Sequence, residues 1–81
     1  MDIHSALKKG QSILIDNSII SAKLDSEILM SQAIRKNKKF IILNLHKKIK
    51  KRDLDYFDKL IQERAQSKPV AQIIKKKEFW K

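Results

Sequence analysis

The sequence predicts an all-α fold, a small bundle of about five helices of which two are short. Apolar residues recur at three- and four-residue spacing along most of the chain, as they do on the buried face of a helix. The 81 residues contain one glycine and one proline, which is few for a fold with many turns. There is no cysteine, which excludes disulfides and thiolate metal sites. A chain of this length forms one domain with a modest core.

The first predicted helix spans residues 2–15. Asp2 suits its N-terminus, because a short carboxylate accepts hydrogen bonds from the first free N–H groups and its charge matches the helix dipole. Residues 16–18 then favour a turn, since Asp, Asn and Ser bond readily to their own backbone. The helix is expected to bury one face, made of Ile3, Ala6, Leu7, Gly10, Ile13 and Leu14.

The second predicted helix begins near Ser18 or Ser21. Its acidic residues lie near the beginning and its basic residues near the end, in agreement with the helix dipole. Its inward face is formed by Ala22, Leu24 or Asp25, Ile28, Leu29, Gln32 and Ala33. A carboxylate beside a buried face usually caps a helix or pairs two helices, so we expect a structural role for Asp25 and no catalytic one.

The third predicted helix follows a break at residues 37–39. Residues 40–45 form a continuous apolar run rich in β-branched side chains, which on local evidence would suit a buried strand. No second strand exists in the sequence to satisfy the backbone of such a strand. We therefore predict a short helix that packs into the bundle.

The fourth predicted helix, residues 52–66, has the clearest pattern. Within it, Asp55 and Lys59 are spaced as an acid-to-base pair on one face. Pro69 then suits the first turn of a fifth helix of about two turns, because proline has no N–H to leave unpaired. The inward face of the fourth helix is expected to contain Leu54, Phe57, Leu60, Ile61 and Ala65, with Tyr56 at its margin.

Positive charge is the strongest compositional signal. Nineteen Lys and Arg residues against nine Asp and Glu give a formal net charge of +10, which is typical of proteins that bind nucleic acid or acidic surfaces. Residues 28–52 contain nine basic residues and no acidic one. Drift towards lysine in an AT-rich genome is an alternative source of this charge. The candidate partner-docking residues are Lys36, Lys38, Lys39, Lys47, Lys48, Lys50, Lys51 and Arg52.

These candidate residues lie mainly at two breaks between helices. In an antiparallel bundle, the two breaks would lie side by side at one end. The patch is interpreted as a docking site for an acidic partner, with solvated loops as the alternative.

No catalytic, metal-binding or cofactor-binding site can be assembled from the sequence. His4 and His46 are far apart and lack the spacing of metal ligands, so both are expected at the surface or at helix ends. Gly10 is isolated within a predicted helix, so there is no glycine-rich loop for a phosphate. No apolar run is long enough to cross a membrane, and no secretory signal is present. We expect a soluble cytoplasmic protein without membrane contact.

One segment resembles a known family. Residues 69–74, Pro-Val-Ala-Gln-Ile-Ile, followed by Glu78-Phe79-Trp80, look like the end of the N-terminal domain of HemK/PrmC-type methyltransferases. Residues 25–30 and Arg64 are similar to further parts of the family pattern, and the likeness covers about residues 21–80. The chain departs from the pattern at helix ends. It has Ser67 and Lys75 where the family usually has glycine, and Lys50-Lys51 where it has Ser or Thr followed by an acid.

The resemblance implies an activity for a parent protein. Such enzymes use S-adenosylmethionine to methylate the glutamine of the Gly-Gly-Gln loop in peptide chain release factors. The family's cofactor-binding motif and its Asn-Pro-Pro-Tyr motif are missing from these 81 residues. This chain alone is therefore expected to bind no cofactor and to catalyse no reaction.

By the same resemblance, residues 1–75 would form a helical substrate-docking domain, and 76–81 would begin the linker to an absent catalytic domain. The expected partners are a release factor, which tends to be acidic, and the protein's own catalytic domain. Asp25 would form a structural hydrogen bond to a neighbouring helix end. The candidate interdomain contacts are Pro69, Gln72, Phe79 and Trp80.

Two alternatives remain open at this point. Phe79 and Trp80 either begin the connection to a second domain or fold back onto the bundle. The whole chain is alternatively a stand-alone basic helical module that binds nucleic acid through the same lysines. Few aromatic residues are interleaved with those lysines, and this argues against the second alternative.

Overall fold

The computed structural model describes the backbone of residues 1–78 and the side chains of residues 1–74. Within that range the chain forms helices and no strand, which confirms the predicted all-α fold; one isolated antiparallel bridge joins Asp2 to Lys48. Phe79 and Trp80 lie outside the described residues. The five helices are α1 (Ile3–Asp16), α2 (Ala22–Ile34), α3 (Lys38–Leu43), α4 (Lys51–Ala65) and α5 (Val70–Glu78).

Helix α1 forms as predicted. The Asp2 carboxylate accepts a hydrogen bond of 2.8 Å from the Ser5 backbone N–H, and this bond lowers the pKa of Asp2 below its ordinary value of 3.8. All six predicted inward residues are buried except Ile13, which is half-buried against the core. A Cβ at Gly10 would lie 2.8 Å from the Phe57 ring, so the missing side chain lets α1 approach α4 closely.

Helix α2 lies at the centre of the bundle and packs against each of the other four helices. Because α2 has neighbours on several sides, its apolar residues are spread over a broad part of its surface. The spacing alone therefore allowed either Leu24 or Asp25 at one inward position. Asp25 is buried, whereas Leu24 is half exposed. Ile28 and Gln32 are half-buried, and the buried residues are Ala22, Asp25, Ser26, Leu29, Met30 and Ala33.

Helices α3 and α4 also confirm the predicted elements, with two differences. In α3 only Ile41 is fully buried, so the apolar run is less enclosed than predicted. In α4 the Asp55 carboxylate lies 3.2 Å from Lys51 Nζ on the preceding turn, and not beside Lys59 as predicted. The inward face of α4 is as expected, with Phe57, Leu60 and Ile61 fully buried and with Leu54, Tyr56 and Ala65 packed at its edge.

The residues at the helix ends include those at which the chain departs from the family pattern. Ser67 has a positive φ of 72° between α4 and α5, a conformation that suits the glycine which the family usually has there. Arg35, which follows α2, is also left-handed, with φ of 59°. Lys50 precedes α4 without a capping side-chain hydrogen bond. Lys75 lies inside α5, which continues past residue 75 to Glu78.

The bundle has two distinct ends, because α2 runs antiparallel to both α1 and α4. At one end the Ile3 N–H donates to the Lys47 carbonyl at 2.8 Å, which places the start of α1 beside the segment leading into α4. At the other end Arg64 Nε donates to the Asp25 carboxylate at 2.8 Å, which places the end of α4 beside the start of α2. We call residues 35–52 the basic end, and residues 15–25 with 64–69 the apolar end.

Candidate functional site

All eight candidate docking residues are exposed and lie at the basic end. The Nζ atoms of Lys36 and Lys47 lie 5.3 and 5.7 Å from the centroid of the Phe40 ring, one from each of the two breaks that flank α3. The fold therefore brings the two breaks together around one aromatic ring. Attraction between an exposed ammonium group and an aromatic ring contributes about 0.5–1 kcal/mol, so the ring helps to hold both lysines in place.

Three of the eight candidate cations have carboxylate neighbours. Lys38 Nζ is 3.3 Å from Glu27, Lys51 Nζ is 3.2 Å from Asp55, and Arg52 Nε is 3.9 Å from Asp53. The three basic side chains remain between 54% and 88% exposed, so water screens these pairs strongly.

Each of these carboxylates lies outside the basic end, on α2 or on α4. Residues 35–52 contain nine cations and no carboxylate of their own. The basic end therefore carries a net positive field that attracts anionic partners over a Debye length of about 8–10 Å.

The segment between α3 and α4 is held by backbone hydrogen bonds to the beginning of α1. The Ile3 and His4 N–H groups donate to the carbonyls of Lys47 and Leu45 at 2.8 and 2.9 Å. The Ile49 N–H donates to the Met1 carbonyl at 3.0 Å. Since the first N–H groups of a helix have no partner within it, this segment satisfies donors that would otherwise need water. The backbone that carries Lys47 and Lys48 is thereby fixed to the bundle.

Two aliphatic residues at the basic end were not among the predicted site residues. Ile42 and Leu43, on the last turn of α3, are 54% and 65% exposed, whereas their neighbour Ile41 is 1% exposed. From the sequence we predicted that residues 40–45 pack into the bundle as one apolar segment. Consecutive apolar residues on a helix lie on all of its faces. A six-residue helix at the edge of a bundle can bury only one face, so the other apolar side chains remain exposed. That argument would have identified the exposed pair.

The candidate interdomain residues lie elsewhere, at the start of α5. Pro69 and Gln72 are exposed, and the Pro69 carbonyl accepts hydrogen bonds from Gln72 and Ile73 that begin the helix. Phe79 and Trp80 are outside the described residues, so the structure places only two of these four residues.

A cleft of about 250 Å³ lies between α2, α3 and α5, lined by Glu27, Ile28, Ser31, Gln32, Lys38 and Ile74.

Asp25 belongs to a structural network at the apolar end. One of its carboxylate oxygens accepts hydrogen bonds from the Ser21 hydroxyl at 2.7 Å and from Arg64 Nε at 2.8 Å. Arg64 also donates to the Lys68 carbonyl at 3.1 Å, in the connection to α5. The carboxylate therefore ties the start of α2 to the end of α4, as the resemblance implied.

In the described part of the chain, the histidines and the helix lengths bear on metal binding and membrane insertion. His4 and His46 are both exposed. Among the described side chains, those of residues 1–74, no group of three could ligate a metal ion. None of the helices in that range has the length and apolar character to cross a bilayer.

The amino-acid sequence is similar to those of several known methyltransferases. The chain is 34% identical over 80 residues to the release factor glutamine methyltransferase of Buchnera aphidicola subsp. Acyrthosiphon pisum, covering 99% of this chain and 28% of that protein. It is 35% identical over 72 residues to the enzyme of the same name from Buchnera aphidicola subsp. Baizongia pistaciae, covering 89% and 26%. A bifunctional methyltransferase of Rickettsia felis is 31% identical over 78 residues, covering 96% and 15%.

The match concerns one part of those proteins, since the chain spans between 15% and 28% of the length of these three relatives. No solved structure matches the chain. The family model of the PrmC N-terminal domain matches residues 5–74, from the first turn of α1 into α5. With that match over most of its length, the chain belongs to the PrmC N-terminal domain family.

Proposed function

We propose that this chain is the substrate-docking domain of a release factor glutamine methyltransferase and that it holds a peptide chain release factor through its basic end. The observation that carries the proposal is the basic end itself. Residues 35–52 contain nine cations and no carboxylate, three of these cations lie beside carboxylates of neighbouring residues, and backbone hydrogen bonds fix this surface to the bundle. The family membership supports the choice of partner, because several relatives are named for their action on release factors.

The docking surface would act by positioning the substrate. Contacts made far from the reacting atoms orient the substrate, so that the bimolecular reaction behaves more like a reaction within one molecule. Long-range attraction between the cations and an acidic release factor would raise the association rate, and the effect would weaken as salt is added. The lysines flanking Phe40 suit this role, because the ring limits their motion in the free protein.

Methyl transfer would belong to a catalytic domain of the parent protein, with S-adenosylmethionine as the methyl donor. Among residues 1–74, neither Gly10 nor the cleft beside α5 suits that cofactor. Gly10 is enclosed against Phe57 and forms no open loop. The cleft beside α5 has a volume of about 250 Å³, below the roughly 300–1,000 Å³ typical of pockets for ligands of that size. We therefore assign binding and orientation of the substrate to this chain as its proposed part.

Residues 1–75 are proposed as the docking domain and residues 76–81 as the start of the linker to the catalytic domain. Pro69, Gln72, Phe79 and Trp80 are proposed to contact that domain. The exposure of Pro69 and Gln72 at the start of α5 supports this assignment, because both side chains remain available to a partner.

The test is a titration of the 81-residue chain against a release factor at two salt concentrations. The variant Lys47→Glu/Lys48→Glu/Lys50→Glu/Lys51→Glu should weaken binding at least tenfold at low salt and less at high salt. A matched control reverses four exposed lysines away from the basic end, Lys8, Lys9, Lys23 and Lys59, and should bind within about threefold of the unmodified chain. Equal affinities of the two variants would contradict the proposed surface.

Nucleic-acid binding is the second candidate, and the same cluster of cations is the observation that favours it. A mixed-sequence duplex and a single strand are therefore titrated alongside the release factor. Binding to nucleic acid releases counterions, so its affinity falls steeply with added salt. Tight, salt-steep binding to nucleic acid without binding to the release factor would replace the proposed function with this one.

A further inference from the structure

We infer that Ile42 and Leu43 form the apolar anchor of the docking surface, so that its partner presents an apolar depression bordered by carboxylates. This inference rests on the proposed function and specifies how that surface recognises a protein. The cations would provide attraction and register, and the two aliphatic side chains would provide the contact that excludes water.

The exposure of the pair is the first reason. Ile42 and Leu43 are 54% and 65% exposed, although they adjoin the almost fully buried Ile41. They are consecutive residues on one helical turn, so they expose two large aliphatic side chains within a short stretch of the surface. Residues that dominate binding usually lie at the centre of an interface and are surrounded by polar groups.

The arrangement of charge around the pair is the second reason. Lys38 and Ile42 are four residues apart on α3, and so are Lys39 and Leu43, so each lysine lies one helical turn from an anchor residue. Lys47, in the segment that follows α3, extends over the Phe40 ring on the same helix. Two lysines of α3 therefore border the aliphatic pair, and one of them, Lys38, lies 3.3 Å from Glu27.

The rigidity of α3 is the third reason. The Asn37 side chain accepts a hydrogen bond from the Phe40 N–H at 2.8 Å and caps the beginning of the helix. The Asn44 side chain donates to the Phe40 carbonyl at 2.8 Å at its end, and the Lys47 N–H donates to the Asn44 carbonyl at 3.0 Å. Because both ends of this short helix are tied, less conformational freedom is lost when a partner binds the anchor.

The chemistry favours an acidic protein over the other anionic partners. Aliphatic side chains cannot stack on bases, and stacking is a main source of affinity for single strands. Seven of the eight candidate cations are lysine, which lacks the forked geometry with which arginine binds phosphate. A membrane surface would need a longer apolar face, with aromatic residues at the interface. Two aliphatic side chains within a cationic border match a small apolar site on an acidic protein surface.

The test compares two double variants of the 81-residue chain that remove similar apolar surface. Ile42→Gln/Leu43→Gln removes the anchor and keeps every charge, and glutamine preserves the helix propensity. Ile20→Gln/Leu24→Gln is the matched control at the apolar end, where Ile20 is fully exposed and Leu24 is 50% exposed. Circular dichroism establishes that both variants are folded. Each is titrated against a release factor and against vesicles containing anionic lipid.

The anchor variant should bind the release factor at least tenfold more weakly at both salt concentrations, because loss of apolar contact is not screened by ions. The control variant should bind within about twofold of the unmodified chain. Unchanged affinity of the anchor variant, with the charge-reversed variant still weakened, would overturn the anchor and leave the proposed function standing. Failure of the unmodified chain to bind the release factor would overturn both. Loss of vesicle binding alone would assign the pair to a lipid surface and overturn the inference.

Discussion

The two ends of the bundle use charge in opposite ways. At the apolar end, the Asp25 carboxylate and the Arg64 guanidinium are withdrawn from water, with side chains only 8% and 18% exposed, and they join two helices. At the basic end, nine cations stand at the surface, and backbone hydrogen bonds and a few buried side chains hold the structure together. Charge stabilises the fold at one end and remains available to a partner at the other.

This division teaches that stability and recognition can be altered separately in so small a domain. A substitution in the Asp25 network should change the free energy of unfolding without changing the surface of the basic end. Reversal of an exposed lysine at the basic end should change binding without disturbing the core. The difference arises because the strength of an ion pair depends on its exposure to water more than on its separation.

The largest effect is expected from Arg64→Ala. This change leaves the buried Asp25 carboxylate with the Ser21 hydroxyl as its remaining hydrogen-bond partner, and should lower the free energy of unfolding by about 3 kcal/mol. That loss is a large share of the roughly 4–12 kcal/mol expected for a domain of this size. Chemical denaturation followed by circular dichroism measures it.

Its matched control is Lys51→Ala, which removes the exposed pair with Asp55 at the basic end. The loss there should be about 0.3–0.5 kcal/mol or less. The double variant Asp25→Asn/Arg64→Ala should recover part of the stability, since a neutral amide costs less to bury than an unpaired carboxylate. Similar losses for Arg64→Ala and Lys51→Ala would show that the two ends do not differ as described.

An intermediate effect is expected from glycine at two of the three left-handed residues, Ser67 at the apolar end and Arg35 at the basic end. Ser67→Gly and Arg35→Gly should each raise the free energy of unfolding by about 0.5–1 kcal/mol, because glycine adopts a positive φ without a steric penalty. The two variants should differ in binding, since only Arg35→Gly removes a cation from the basic end. Thermal denaturation and the release factor titration measure the two properties.

Ser12→Gly serves as the control for this pair, because Ser12 is exposed within α1. Glycine within a helix should lower the free energy of unfolding by about 0.5 kcal/mol. A destabilising effect of all three glycines would mean that the left-handed conformations carry no strain.

The smallest effect concerns pH and the Asp2 cap beside the basic end. The hydrogen bond from the Ser5 N–H lowers the pKa of Asp2 in the folded chain, so the unfolded chain binds a proton at higher pH. The stabilisation is therefore present above the ordinary pKa of 3.8 and is lost as the pH falls through the lower folded value.

Asp2→Asn keeps a capping side chain and removes this titration. The stability of the variant should fall less between about pH 5 and pH 3 than that of the unmodified chain, as measured by urea denaturation at each pH. Identical pH profiles would mean that the cap is not coupled to the charge of Asp2.

The fold could be predicted from the sequence because the periodic apolar residues of α1 and α4 each face one neighbouring surface. The pattern was less decisive for α2, where both Leu24 and Asp25 fitted the inward face. Tertiary contacts decided in favour of Asp25, because Arg64 lies opposite it. A partner 39 residues away in the chain cannot be read from local spacing.

The candidate site was predicted only in part, for a similar reason. The lysines were visible as a run without acidic residues, and the antiparallel arrangement predicted that their two groups would meet. The exposure of Ile42 and Leu43 depends on how much of α3 its neighbours cover, and hydropathy alone does not contain that information. The placement of Phe40 between Lys36 and Lys47 depends on the same packing.

The backbone bonds between the start of α1 and the segment before α4 have a consequence for amide hydrogen exchange. The N–H groups of Ile3, His4 and Ile49 are protected only while these two distant parts of the chain remain together. Their exchange rates therefore report how often the basic end opens. A partner that binds the lysines and holds this segment closed would slow exchange at Ile3 and His4, although it touches neither amide. Docking at the surface would then be visible as protection within the first turn of the first helix.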